Sequence, residues 1–160
     1  MRPRVPLCTS VLRLFPLFVA TLLTGCSVSA PGSVETSFMN GVKRNLTVGG
    51  KRDRSPFPAT PEHIAAGRKQ FQNYCTSCHG RTGRNEDVVF ATRVSPPIPR
   101  LDSPQVQRYT DGQLRWVIAH GVSPSGMPAW NGVLDEAQTW KIVLYIRTLR
   151  PPGAALTGKD

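Results

Sequence analysis

Acidic residues are scarce in this chain of 160 residues: ten Asp and Glu stand against 20 Lys and Arg, a formal charge of +10. Three of the positive charges, Arg2, Arg4 and Arg13, fall in the first fifteen residues, and without them the balance is 17 against 10, or +7. A surplus of that sign suits an acidic protein partner or an anionic membrane surface. Nucleic acid is the other polyanion to consider, but the chain has neither a zinc-finger pattern nor a long basic run, so nucleic acid is not expected as a partner. Apolar residues are also in short supply, at 39%. A large self-sufficient core is therefore not expected, and a cofactor serving as part of the core would make up the deficit. Proline and glycine are not lacking: fifteen Pro and fourteen Gly predict long irregular stretches beside a few helices.

Long hydrophobic runs are missing as well, apart from Leu14–Leu23, which follows the arginine-bearing start. A charged segment and then a short apolar one is the pattern of a secretory signal. Leu23-Thr24-Gly25-Cys26 comes next and resembles a bacterial lipobox, in which small residues precede a cysteine whose thiol takes a diacylglyceryl group. Residues 1–25 are thus expected to be a lipoprotein signal peptide and Cys26 the lipidated new N-terminus. Two or three acyl chains anchor a protein stably where one binds marginally. The competing reading is an uncleaved transmembrane helix, since no charge occurs between Arg13 and Glu35; Pro16 and the weakly hydrophobic run from residue 24 to 33 argue against it. Residues 26–60 read as a flexible basic linker without helical or strand period, and 152–160 as a disordered tail. The expected location is the periplasmic side of a bacterial membrane.

With Cys8 inside the signal and Cys26 acylated, the only thiols left are those of Cys75-Thr76-Ser77-Cys78-His79. This C-x-x-C-H spacing is that of c-type haem attachment. Each thiol can add across one haem vinyl group, a helical turn spans the two, and the adjoining His79 is placed to give the iron its proximal imidazole. A thioredoxin-like pair would need a strand–helix context that the sequence does not offer. Zinc would need a second ligand pair, for which no cysteines remain. A plain disulfide, natural in an oxidising compartment, leaves His79 unexplained. For the distal ligand, Gly126-Met127-Pro128 offers a thioether, a soft neutral donor that favours ferrous iron and raises the potential. The rival donors are His120 at the end of a helix with Gly121 as C-cap, His63 in a first helical turn, and Met39 in the linker.

Together these segments resemble a class I c-type cytochrome, the bacterial single-haem type, over about residues 61–151. The matching set is ordered: Gly67 and Phe71 before Cys75, Cys78, His79 and Gly80; then Pro99-Arg100-Leu101; Tyr109-Thr110-Asp111-Gly112-Gln113-Leu114; Gly126-Met127-Pro128; and Trp140 to Leu149. Ser125 stands where many relatives have Thr, and a hydroxyl is kept. The resemblance implies an all-α cytochrome c fold of three main helices around one covalently attached haem c, with long irregular loops. It implies that the first and last helices cross, with Gly67 allowing close approach beneath Tyr145 and Phe71. It also implies iron ligation by His79 and Met127, a carbonyl of Pro99 on the His79 ring (Pro97 being the alternative), and a haem pocket of Pro99, Leu101, Trp116, Ile142 and Ile146.

Local chemistry predicts the same helices. Thr60 before Pro61 reads as N-cap and first helical residue; Thr110 with Gln113 and Asp135 with Gln138 read as helix openings; Pro151-Pro152 ends the last helix. The function expected is one-electron transfer between periplasmic or respiratory redox proteins with acidic docking surfaces, without catalysis of its own. Two alternatives stay open: an electron-accepting subunit of a dehydrogenase or oxidase complex, and a haem sensor or enzyme with an open distal site.

Overall fold

The computed structural model describes residues 41–42, 46–123 and 125–151. The signal, Cys26, Met39 and the tail lie outside them. Among the described residues five named helices follow in order: α1 (Pro61–Tyr74), α2 (Thr76–His79), α3 (Pro104–Gln107), α4 (Asp111–His120) and α5 (Glu136–Thr148). Among the described residues there are no strands, only two isolated bridges, so the architecture is all-α.

Each long helix starts where side-chain chemistry says it must. Thr60 accepts a hydrogen bond from the His63 N–H, and Pro61 occupies the first turn, where its missing N–H costs nothing. Both α4 and α5 open on a full capping box: Gln113 N–H donates to Thr110 while the Gln113 side chain accepts from the Thr110 N–H, and Asp135 with Gln138 repeats the exchange. α5 is done by Thr148, two residues before Arg150-Pro151.

The central packing is α1 across α5. Gly67 is buried against the α5 backbone, and a Cβ there would overlap the Lys141 carbonyl, so only glycine lets the two helices come this close. The point of contact is Lys141–Ile142, and one turn on, Tyr145 meets Phe71, their ring centroids 5.1 Å apart, as the resemblance implied. Glycine marks where the backbones meet, and the aromatic pair fills the wedge that opens beside that point. Phe71, Ile142, Val143 and Ile146 form the floor of the core, with Leu114 and Ile118 of α4 and Leu101 of the preceding loop closing over it.

Arg147 ties α5 to the α3–α4 junction. Its guanidinium donates to Asp111 at 2.7 Å, to the Gln107 carbonyl at 3.0 Å and to the Tyr109 carbonyl. Gln107 in turn donates to the carbonyls of Leu101 and Ile146 at 2.8 and 3.0 Å. Charge-assisted bonds onto backbone carbonyls satisfy acceptors that the short α3 would otherwise leave bare.

Residues 46–60 differ from the free spacer expected. Val48 is buried, the Thr110 hydroxyl donates to the Lys51 carbonyl at 3.2 Å, and Asp53 pairs with Arg115 at 3.5 Å. Farther on, the Phe57 ring takes the Lys141 ammonium at 5.2 Å from its centroid and the His63 ring at 5.4 Å. Among the described residues the strap is thus packed from Val48 onward, because small residues let it lie flat on α4.

Candidate functional site

Cys75 interrupts the helical run, as C-cap of α1 and N-cap of α2, so the motif winds through one further turn and delivers Cys75, Cys78 and His79 to the edge of the core. Both thiols are free and half-buried. Burial, and the neighbouring Cys78, push the Cys75 thiol up to about 12. Among the described residues no group of three or more His, Cys, Asp or Glu gathers as a metal cage. A neutral thiol beside apolar side chains fits addition to an apolar group instead.

His79 is held from behind. Its carbonyl accepts the Asn85 N–H at 3.2 Å, and its Nδ1 is buried. Burial lowers the ring's pKa, and the Pro99 carbonyl pushes the other way. Nδ1 itself makes no hydrogen bond that meets ordinary geometry. Between the two possible prolines, Pro99 is the one acting on the ring.

The loop after α4 carries Met127. Gly121 sits at φ 69° and a Cβ there would lie 2.7 Å from the Met127 carbonyl oxygen, so glycine permits both the turn and the return of the chain. The Val122 N–H donates to the Met127 carbonyl at 3.1 Å, and Ser125 donates to the Val122 carbonyl. Trp130 and Asn131 then donate back to the carbonyls of Ile118 and Ala119 at 3.1 and 3.0 Å. These bonds pin the loop over the end of α4. Met127, half-buried, packs on the same apolar cluster as Cys75, Ile142, Ile146 and Leu101. Thus an imidazole-bearing turn and a thioether-bearing loop border one apolar core, a donor set matched to haem iron. Gly126 has nothing within 4 Å of where a Cβ would stand, so its side of the loop is open.

The two rival histidines are engaged elsewhere. His120 is exposed, donates from Nδ1 to the Trp116 carbonyl at 2.9 Å, and stacks on the Trp116 ring at 4.4 Å. His63 bonds the Pro58 carbonyl at 2.9 Å. Trp116 itself lies away from the core cluster, under Gly49 of the strap, rather than in the pocket expected for it. Its position in α4 gives the reason: Leu114 and Ile118 face the core, and the residue midway between them must point outward. Asn85 is the residue that motif reading missed. Its signal was a non-glycine among turn residues just after the attachment motif, which only its backbone angle makes conspicuous.

Comparison with known proteins agrees with this geometry. Residues 62–146 match the family described as "Cytochrome C oxidase, cbb3-type, subunit III". Cytochrome c6 of Euglena viridis is 29% identical over 86 residues, covering 51% of this chain and 86% of that protein. A quinohemoprotein alcohol dehydrogenase, ADH IIB of Pseudomonas putida, is 28% identical over 138 residues, 80% of this chain but 19% of the dehydrogenase, so the chain spans about a fifth of that relative's length. In structure, a chain of a reducing HAO-like protein complex from Kuenenia stuttgartiensis matches with a TM-score of 0.51 at 19% identity, covering 61% of this chain and 48% of that one. That likeness concerns the fold. Haem c is accordingly the cofactor, and electron transfer the work of the domain. The chain belongs to the cbb3-type cytochrome c oxidase subunit III family and carries its class I c-type cytochrome domain.

Proposed function

We propose that the protein is a one-electron carrier tethered through acylated Cys26 to the periplasmic side of a bacterial membrane. In this reading Cys75 and Cys78 would bond the haem covalently, and His79 and Met127 would hold its iron. The observation that carries it is the shared apolar cluster on which both Cys75 and Met127 pack, with the half-buried His79 in the same helical turn as Cys75. When bound, haem c supplies a one-electron ferric/ferrous couple. The rest is done by the chain. Ile142 and Ile146 would exclude water, the Pro99 carbonyl would orient His79, and Met127 would supply the second protein donor, leaving none of the iron's positions free for a substrate. Among the described residues no helix is long and apolar enough to cross a membrane, and tethering would fall to Cys26.

Redox partners with acidic docking faces fit the surface beside the attachment turn. There a cleft of about 520 Å³ is lined by Arg68, Gln72, Thr76, Arg81 and Thr82. Two guanidinium groups flanking a residue of the attachment motif would steer a carboxylate-bearing surface to the electron's exit, raising encounter rate more than affinity. A second reading, electron acceptor within a dehydrogenase complex, is favoured by the match to part of a quinohemoprotein alcohol dehydrogenase. Co-purification with a catalytic subunit would select it over a free carrier.

Carbon monoxide added to the reduced protein tests the closed distal site. The reading expects an unchanged visible spectrum; a shifted band would assign an open site and a sensor or enzyme. The mass of the mature protein should include acyl chains on Cys26, and a bare Cys26 would remove the tether.

A further inference from the structure

Among the described residues Asn85 is the single non-glycine with a positive φ, 66°. It is half-buried, and its two hydrogen-bonding arms reach the two segments that must face each other on the proximal side. Its backbone N–H donates to the His79 carbonyl at 3.2 Å. Its side-chain Nδ2 donates to the Ile98 carbonyl at 2.8 Å, on the peptide that leads into Pro99. A carbonyl only accepts, so the amide nitrogen must be the atom turned toward Ile98. The other amide atom, Oδ1, is buried without a hydrogen-bond partner.

Asparagine is an expensive choice here. Left-handed backbone is strained for a residue with a Cβ, though less so for Asn than for most, and an orphaned buried acceptor loses its water for nothing. Glycine would adopt the same angle with neither penalty. What the side chain adds is the bond to the Ile98 carbonyl. Without it, the stretch before Pro99 keeps the Ile98 N–H bond to the Ala91 carbonyl at 2.9 Å, and the stretch after it the Leu101 N–H bond to the Gly83 carbonyl at 2.8 Å. Neither of these reaches His79.

We propose that Asn85 is a positioning residue for the proximal ligand: it clips the His79 turn to the Ile98–Pro99 segment and so holds the Pro99 carbonyl against the His79 ring. The role rests on the haem reading above. A firmly held carbonyl makes the imidazole a stronger donor to iron, which favours the ferric state and lowers the potential. Asn85 thereby tunes the haem without touching it.

The test is Asn85→Gly in the full-length haem-loaded protein, which keeps the backbone angle and deletes the clip. The midpoint potential should rise, and the His79 Nδ1 proton should exchange with solvent deuterium about tenfold faster, the scale on which such outer partners act. Thr82→Val is the control. It removes the 2.7 Å bond from Thr82 to Glu86 in the same loop without reaching His79 or Pro99, and it should leave both readouts where they were. Equal shifts in the two variants would reduce Asn85 to general loop stability and overturn the proposal, as would a red Asn85→Gly protein with unchanged potential and exchange. Should that variant not mature, the wild-type side-chain amide decides: slow exchange of the Asn85 Nδ2 protons supports the clip, and free exchange overturns it. A wild-type protein without covalent porphyrin would instead defeat the haem reading itself.

Discussion

In the proposed site Met127 is the residue whose chemistry most sets the potential. Replacing it by Leu keeps apolar volume and removes the sulfur. The ferric protein is expected to lose its sulfur–iron charge-transfer band, and the potential to fall by tenths of a volt within the ~0.8 V range that axial ligands command. Voltammetry on the paired proteins checks this; an unchanged potential would move the distal ligand elsewhere. Asp102 matters in another way. Its carboxylate keeps only 6% exposure in its side chain, near the surface yet closed off by Arg100 at 2.8 Å and Arg84 at 3.0 Å. Hydrogen bonds from Arg100, and then the charges of Arg100 and Arg84, hold its pKa below the usual carboxylate range against the opposing effect of burial. The folded state therefore gains from this group wherever the carboxylate is charged: fully above about pH 4, and progressively less as pH falls through the lowered folded value. Asp102→Asn should cost about 1 kcal/mol at pH 7, a modest figure because both guanidinium groups stand half in water. Urea titrations should show wild type and variant converging toward acid. A gap that widens in acid would contradict the assignment.

At the scale of elements, the crossing of α1 and α5 dominates. Gly67→Ala drives a methyl into the Lys141 carbonyl, and with no flexible atom to yield, the helices must part. We expect a loss of about 3 kcal/mol or more, the cost of forcing volume into a packed seam, read as a lowered urea midpoint. A variant as stable as wild type would mean that the helices do not meet there. Caps made the helices legible in the sequence: Thr60-Pro61, Thr110 with Gln113 and Asp135 with Gln138 all stand where the chain begins to coil. These are local signals, decided within four residues. The exact backbone contact of Gly67, on Lys141–Ile142, depends on how two surfaces settle, which the spacing of Gly67, Phe71 and Tyr145 leaves undetermined. Trp116 was misplaced for the same reason. An aromatic near a cofactor motif carries no mark of which side of its helix becomes the core.

The whole molecule includes more chain than its hydrophobic pattern announces. Val48, Gly49 and Gly50 sit in a polar stretch without period, yet they lie on α4 because Gly50 and Gly112 let two backbones touch. Gly112→Ala should lift this strap, since its Cβ would strike the Gly50 carbonyl. Hydrogen exchange at Asp53, whose N–H donates to Gly50 at 3.0 Å, should quicken while α5 stays protected. Exchange unchanged at Asp53 would show that the strap rests on other contacts. The irregular stretch from Gly80 to Ser103 was readable as a loop, but not its internal order: bonds from Leu101 to Gly83 and from Asn85 to Ile98 join residues 13 or more positions apart. In the sequence alone nothing pairs them.

The central claim, a porphyrin sewn to Cys75 and Cys78, is tested most directly by the mass and visible spectrum of the mature chain after complete denaturation and acid–acetone extraction. The account predicts one haem retained by the polypeptide with a c-type reduced band, and its loss from a Cys75→Ala/Cys78→Ala protein. A wild-type chain that surrenders its colour to the solvent, or never has any in cells equipped for haem attachment, would contradict it.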